Sequence, residues 1–336
     1  MTLEKNQLNE VMADMPKENE DAIQSKTGIY VILETLGKGA FGAVFRVRRL
    51  EDNKELAMKC ESFKMKNQIL KHEAKVFDSL HQLDSPHFIT LQDRGKVSGR
   101  FNFIVMKLVG KNLWDLRVEI PCHKFSLVTS IRAAEQTLAG IRDLHLCGYI
   151  HRDIKPPNFA IGREEDGDQH TIYILDFGLA RCYRGPGKDL RYQRVKTAFR
   201  GTTRYASIDA LALKEQSRKD DVESWWYMVV EWMVGQLPWR HCRGAQKDIV
   251  RKLKMDIRER PILERVLQGA PIEYMANIIL YLDTLQYNSI PDYDHIAAQL
   301  EASMQAYNLN YADPPDWDLM VTYLGPRYVK NASYKM

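Results

Sequence analysis

The run Gly37-Lys38-Gly39-Ala40-Phe41-Gly42-Ala43-Val44 constrains this chain more than any other stretch, because of what flanks it. Glycines at these spacings let backbone N–H groups approach phosphate oxygens with no Cβ in the way. Taken alone, such a run fits two architectures. A dinucleotide-binding turn needs a strand before it and a helix after it. Here the residues before it read IYVILETL and those after it AVFRVRRL, β-branched and alternating. The loop therefore joins two strands, and the dinucleotide-binding fold is excluded.

A third β-rich run, ELAMKCESF, follows EDNK and completes an antiparallel meander. Apolar residues at Ile69, Leu70, Val76, Phe77, Leu80 and Leu83 predict a helix over Asn67–Leu83. HFITLQD and RFNFIVMKL read as two more strands. After Gly110 the period changes: Leu127, Ile131, Ala134, Leu138 and Ile141 step by three and four along one helix. Helical patterns recur over Asp220–Val234, Ile272–Leu285 and Tyr293–Ala306, punctuated by Pro291 and by Pro314-Pro315. The expected fold is α+β over residues 27–318, with a small antiparallel β lobe carrying one helix (about 28–108) and a larger, mainly helical lobe (about 110–318). Residues 1–26 hold six carboxylates against three lysines and read as a flexible acidic tail; residues 319–336 read as a short basic tail.

Composition narrows the class. With 336 residues, 45% of them hydrophobic, and a net charge of +4, the chain is an ordinary globular sequence with room for real cores. Five cysteines with no C-x-x-C pair give neither a disulfide framework nor a structural zinc site. The start, MTLEKNQLNEVM, lacks an apolar signal region, and Trp225–Trp239 is too short to span a bilayer. The expectation is a soluble intracellular monomer, cytoplasmic or also nuclear, with neither membrane nor nucleic acid as partner.

The chemistry-bearing residues come in a fixed order. Lys59 lies in the apolar run ELAMKC, where burial demands a counter-charge, and Glu73 on the predicted helix can supply it. His151-Arg152-Asp153-Ile154-Lys155-Pro156-Pro157-Asn158 is followed, eighteen residues after Asn158, by Asp176-Phe177-Gly178. Asp153 is suited to take the proton of an attacking hydroxyl and Lys155 to neutralise a transferring phosphoryl group. Asn158 and Asp176 suit the cations that bridge phosphates. An HRD tripeptide can arise in any surface turn, but not in this order with the glycine loop, the strand lysine and the helix glutamate.

On these motifs the chain resembles eukaryotic protein kinases from about Gly28 to Asp318. Ser207-Ile208-Asp209 stands where most of them carry Ala-Pro-Glu and is similar to the casein kinase 1 group. AFRGTTRYAS, VGQLPWR and HRDIKPxNFAIG look most like the tau-tubulin kinase branch, while EQSRKDDVES is closer to casein kinase 1 proper, so a divergent member near the former is expected. The resemblance implies a serine/threonine kinase that uses ATP and Mg2+ on protein substrates. It implies that Gly37, Lys38, Gly39, Ala40, Phe41 and Gly42 cover the phosphates and that Leu36, Val44, Ala57 and Ala160 hold the adenine. Met106 becomes the gatekeeper and Lys107–Val109 the hinge; Lys59 with Glu73, and Asp153, Lys155 and Asn158, become the catalytic set; Asn158 and Asp176 become the metal ligands. Phe77, His151 and Phe177 would stack as a spine, Asp221 would brace the HRD backbone, and Thr202 would touch Asp153 and Lys155. Departures at Pro157, Lys107, Asp209 and Trp226 sustain one rival, a folded scaffold without catalysis; Pro157 is expected to push Pro156 towards extended geometry and shift Asn158.

Charge is concentrated. Between Asp176 and Tyr205 eight basic residues face two aspartates, a local net of +6 that leaves −2 on the rest. With few interleaved aromatics and no nucleic-acid motif, the segment reads as an anion site for acidic or already phosphorylated substrates, with Arg194, Lys196, Arg200 and Arg204 as its candidates.

Overall fold

A computed structural model describes residues 9–39, 42–65, 68–185 and 190–330. Two compact units result, Met1–Gln82 with Ile89–Val109, and Leu83–Phe88 with Gly110–Met336.

The first unit is built on a six-stranded antiparallel sheet, order β1-β2-β3-β4-β6-β5. The strands are β1 (Ala22–Gln24), β2 (Ile29–Gly39), β3 (Gly42–Arg49), β4 (Glu55–Ser62), β5 (Leu91–Val97) and β6 (Phe101–Lys107). Alternation decides which face is buried: Tyr30 and Ile32, Phe45 and Val47, Met58 and Cys60, and Phe101, Phe103 and Val105 share one core. Each large apolar side chain so buried contributes about 1.5–3 kcal/mol. Helix α1 (Ile69–Leu80) buries Leu70, Glu73, Ala74, Phe77 and Leu80 along one face, within the Asn67–Leu83 span expected from its periodicity.

Two expectations for this unit fail. The acidic segment before residue 27 is not a loose tail in its described part. Residues 9–14 are helical, β1 pairs with β2, and Val11, Met15 and Ile23 are buried. Its acids are neutralised by residues far along the chain: Asp14 accepts from Ser62 Oγ at 2.6 Å and from Lys64 Nζ at 3.0 Å, and Arg100 meets Asp21 at 3.2 Å and also donates to the Asp14 and Met15 carbonyls. Three well-spaced apolar residues outweigh the acidic composition. The run HFITLQD is also split. The His87 ring bonds the Ile172 carbonyl at 2.8 Å and Ile174 N–H donates to the His87 carbonyl, so residues 83–88 belong to the second unit and β5 starts at Leu91.

The second unit surrounds helix α3 (Leu127–Leu146), which follows the short α2 (Leu113–Glu119) and packs on strand β9 (Ile172–Ile174). Strand β7 (Tyr149–Ile150) precedes the HRD loop, and β8 (Phe159–Ile161) follows it and pairs with β9; β10 (Arg181–Cys182) pairs back on β7. The helices after these are α4 (Ile208–Leu211), α5 (Arg218–Val234), α6 (Lys247–Asp256), α7 (Arg260–Val266), α8 (Ile272–Asp283) and α9 (Tyr293–Ala306). A Ser217–Asp220 capping box starts α5, and Gly235, at φ +89°, ends it. Trp226, one of the departures, fills the core with its Nε1–H on the Met275 carbonyl at 2.8 Å. The segment after residue 318 is also packed. Gln136 Nε2 donates to Tyr323 Oη, Arg132 stacks on the Tyr323 ring, and Arg142 donates to the Val329 carbonyl. Among the described residues no helix is long and apolar enough to cross a membrane.

Candidate active site

In the first unit, strand register sets the site. Val44 pairs with Lys59, and Ala57 pairs with Met106. Side chains two apart on β4 share a face, so Ala57 and Lys59 point the same way. Lys59 Nζ meets Glu73 Oε2 at 2.7 Å, with the Glu73 side chain only 2% exposed. A carboxylate so buried requires a cation beside it. Helix α1 is aimed by Glu61 at the end of β4, whose Oε1 accepts from the Ile69 and Leu70 amides at 2.8 and 3.2 Å. Burial pushes the Glu61 carboxyl up, against those two donors.

The glycines divide by what a side chain would meet. A Cβ on Gly42 would lie 1.9 Å from the Cys60 carbonyl oxygen, so packing alone requires glycine there. A Cβ on Gly37 or Gly39 would meet nothing within 4 Å. Packing does not require those two glycines, and they leave open space over the loop. Leu36 and Lys38 are exposed, while Met106, Lys107 and Val109 are half-buried at the end of β6 and beyond it. Phe77 is buried in the same unit. Ala40 and Phe41 lie outside the described residues.

In the second unit, one buried aspartate organises the catalytic loop. Asp221 on α5 accepts from the His151 amide at 2.6 Å and the Arg152 amide at 2.8 Å. It also accepts from His145 Nε2 at 2.9 Å, and the Tyr293 hydroxyl donates to His145 Nδ1. Burial alone would raise the Asp221 carboxyl, yet the His145 contact and the backbone donors hold it below its ordinary value. Burial likewise lowers His145, which stays neutral between its two partners. The brace sustains strain: Arg152 and Asp176 are left-handed, at φ +68° and +62°. His151 Nε2 donates to the Leu175 carbonyl, Arg152 Nε to the Leu179 carbonyl, and the His151 and Phe177 rings meet edge to face at 5.8 Å.

Asp153 is held on both oxygens. Thr202 Oγ1 donates to Oδ1 at 2.9 Å and Lys155 Nζ to Oδ2 at 2.6 Å, with Lys155 also on Thr202 at 3.3 Å. Asn158 Nδ2 donates to the Asp153 carbonyl at 2.8 Å, and Leu175 N–H donates to the Asn158 carbonyl, so Asn158 and Asp176 lie on adjoining backbone. Ala160 is buried on β8. The expected effect of Pro157 does not occur. Pro156–Asn158 is a 3-10 turn, with Lys155 before it extended and the Asn158 amide on the Lys155 carbonyl at 3.0 Å. The first residues of such a turn have no internal acceptor, so the missing Pro157 N–H removes no bond and Asn158 keeps its place.

The oxygen donors also suit a hard cation. With Nδ2 engaged, Asn158 has Oδ1 to offer, and Asp176 directly follows Leu175, whose amide bonds the Asn158 carbonyl. Among the described residues no cluster of three or more His, Cys, Asp or Glu could hold a metal. An ion such as Mg2+ takes one or two protein oxygens and completes its shell with phosphates and water.

The basic segment is sorted by partners outside it. Arg194 forms a two-pronged contact with Glu215, which Arg181 also reaches at 3.3 Å. Arg204 pairs with Glu231 at 3.2 Å, and both carboxylates are buried. The structure therefore corrects the expected anion site: Arg194 and Arg204 are already neutralised. Lys196 and Arg200 are exposed, and among the described residues neither has a carboxylate partner. Burial first, then repulsion from Arg181 and Arg200, lowers the Arg152 guanidinium to about 10. Asp209, another departure, is held by Lys214 and Lys219 at 2.8 Å each. Sequence reading missed His145, Glu215, Glu231 and Glu61, because each is a lone polar residue whose role comes from a distant partner. Only the placement of His145 six residues before His151 could have drawn attention.

The comparisons agree with this geometry. The family model described as Protein kinase domain matches residues 30–278. A probable serine/threonine-protein kinase of Dictyostelium discoideum is 32% identical over 87% of this chain and 57% of its own length. The serine/threonine-protein kinase spe-6 of Caenorhabditis elegans is 32% identical over 88% of the chain and 76% of its own. Casein kinase I homolog 3 of Schizosaccharomyces pombe is 32% identical over 89% of the chain and 67% of its own. The chain thus spans little more than half of the first of these relatives. No support appears for a scaffold without catalysis, since the residues such a reading relied on leave the catalytic loop intact. The chain belongs to the protein kinase family.

Proposed function

We propose that this kinase phosphorylates serine or threonine in acidic or already phosphorylated proteins, and that it stands near the tau-tubulin kinase branch of the casein kinase 1 group. The branch rests on AFRGTTRYAS, VGQLPWR and HRDIKPxNFAIG. The substrate preference rests on one observation: Lys196 and Arg200 are exposed and have no acid of their own among the described residues, where repulsion from Arg181 and Arg200 helps lower the Arg152 guanidinium. An anion from a substrate would relieve that repulsion. Lys247 adds charge nearby, lying over the Phe199 ring at 4.1 Å.

In this reading Lys59, positioned by Glu73, binds the phosphates of ATP under Gly37 and Gly39, with Val44 and Ala57 against the adenine. Asp153 receives the proton of the substrate hydroxyl as its oxygen bonds the γ-phosphorus; the bond from that phosphorus to the bridging oxygen breaks and ADP leaves. Thr202 and Lys155 fix the Asp153 carboxylate, and Lys155 offers its charge to the moving phosphoryl group. Asn158 and Asp176 would hold the divalent cation, which supplies neutralisation of phosphate charge.

The test compares initial rates on an acidic, phosphoserine-containing peptide and a neutral one. The Lys196→Glu/Arg200→Glu variant is expected to lose about tenfold in kcat/KM on the acidic peptide and little on the neutral one. Equal losses on both would overturn the preference.

A further inference from the structure

The chain leaving Thr202, which bonds the catalytic carboxylate, must run past the place where a substrate hydroxyl sits. That stretch, Thr202–Ala206, is held from below by side-chain donors. Lys254 on α6 is 0% exposed, and its Nζ donates to the Thr203 carbonyl at 3.3 Å and the Ala206 carbonyl at 2.5 Å. Trp239 Nε1 donates to the Arg204 carbonyl between them, at 2.7 Å. The ammonium sits over the Tyr227 ring at 4.3 Å and the Trp239 ring at 4.9 Å.

A lysine is rarely buried so completely without an acid of its own. Glu223, the carboxylate closest in effect, is engaged elsewhere: it accepts from the Ile208 amide, the Tyr227 hydroxyl and Arg258 Nη2. Burial pushes the Lys254 amine well below its ordinary value, and its Nζ is held by the two carbonyls it donates to and by two ring faces. A buried group so expensive to desolvate fixes the carbonyls that a neutral residue would leave unpaired. We propose that Lys254 is a positioning residue for the phosphoacceptor: it sets the Thr203–Ala206 backbone, and so determines how tightly the residues beside the target hydroxyl bind.

This rests on the kinase activity but not on the acidic preference, so the test uses the neutral peptide. Lys254→Met keeps the stem and removes the ammonium. Peptide KM is expected to rise about tenfold, while ATP KM and slow ATP hydrolysis without peptide stay within about twofold. A merely structural lysine would not split the two substrates. Unchanged peptide KM, or ATP KM rising in parallel, overturns the proposal. Should Lys254→Met not fold, Trp239→Phe, which removes the donor to Arg204 and narrows the ring face under Lys254, is expected to raise peptide KM about threefold with ATP KM unchanged. An unchanged peptide KM in that variant also overturns it.

Discussion

In the catalytic loop, His151 to Asn158, Asp153 and Lys155 find their partners in each other and on Thr202, and the His151 and Arg152 amides find theirs on the single aspartate behind the loop. In the basic run from Arg181 to Arg204, the carboxylates that decide each arginine's role, Glu215 and Glu231, lie outside the run. Both regions stand out by composition, yet only the first specifies its own geometry. A motif whose members bond to one another is a site wherever it folds. A charge run is a site only where the rest of the chain leaves it unneutralised.

The sharpest break with the second region should come from the first. Asp153→Asn keeps the shape of the side chain but removes the charge that takes the hydroxyl proton. Transfer to either peptide is expected to fall about a thousandfold, with ATP binding retained. A loss confined to the acidic peptide would mean that Asp153 acts on charge selection, and the contrast between the two regions would collapse.

The same contrast explains what the sequence made legible. Glycine loop, Lys59, Glu73, Asp153, Asn158 and Asp176 were readable because their spacing is set by strand, helix and tight turn, which a linear pattern records. The helices Arg218–Val234 and Tyr293–Ala306 were readable for the same reason, since their periodicity is local. The packed segment before residue 27 was not, because its acids Asp14 and Asp21 are satisfied by Lys64 and Arg100, dozens of residues away. Helix α6 was also missed: Lys247–Asp256 is mostly polar, and it buries Val250 together with a lysine. Long-range pairing of polar groups leaves no periodic trace.

Acid should separate the regions next. His87 and His145 are fully buried in the second unit, and burial lowers both from the ordinary 6.5. Below that pH the unfolded chain binds protons that the folded chain refuses, so stability is present at neutral pH and is lost as pH falls. Each histidine contributes up to about 1.4 kcal/mol per pH unit until its folded value is reached. The ordinary values of arginine and lysine lie far above this range. Thermal midpoints between pH 7.5 and pH 5.5 are therefore expected to fall, while the protein that remains folded keeps a constant preference for a peptide made acidic by aspartate and glutamate alone, whose charge does not change in this range as a phosphoserine's would. A preference that changed with the midpoint would place a titrating group in the anion site.

The smallest effects divide the basic run itself. Arg194→Ala removes one of two cations from Glu215, and Arg181 stays to neutralise the carboxylate. The expected cost is about 1 kcal/mol of stability, with the peptide preference unchanged. Lys196→Ala removes an exposed charge with no acidic partner among the described residues. It is expected to leave the midpoint unchanged and to lower the acidic-to-neutral ratio about threefold. Thermal melts and paired peptide rates on these two variants measure both effects. If Arg194→Ala shifted the preference and Lys196→Ala the midpoint, burial of the partner carboxylate would not be what separates a brace from a binding site.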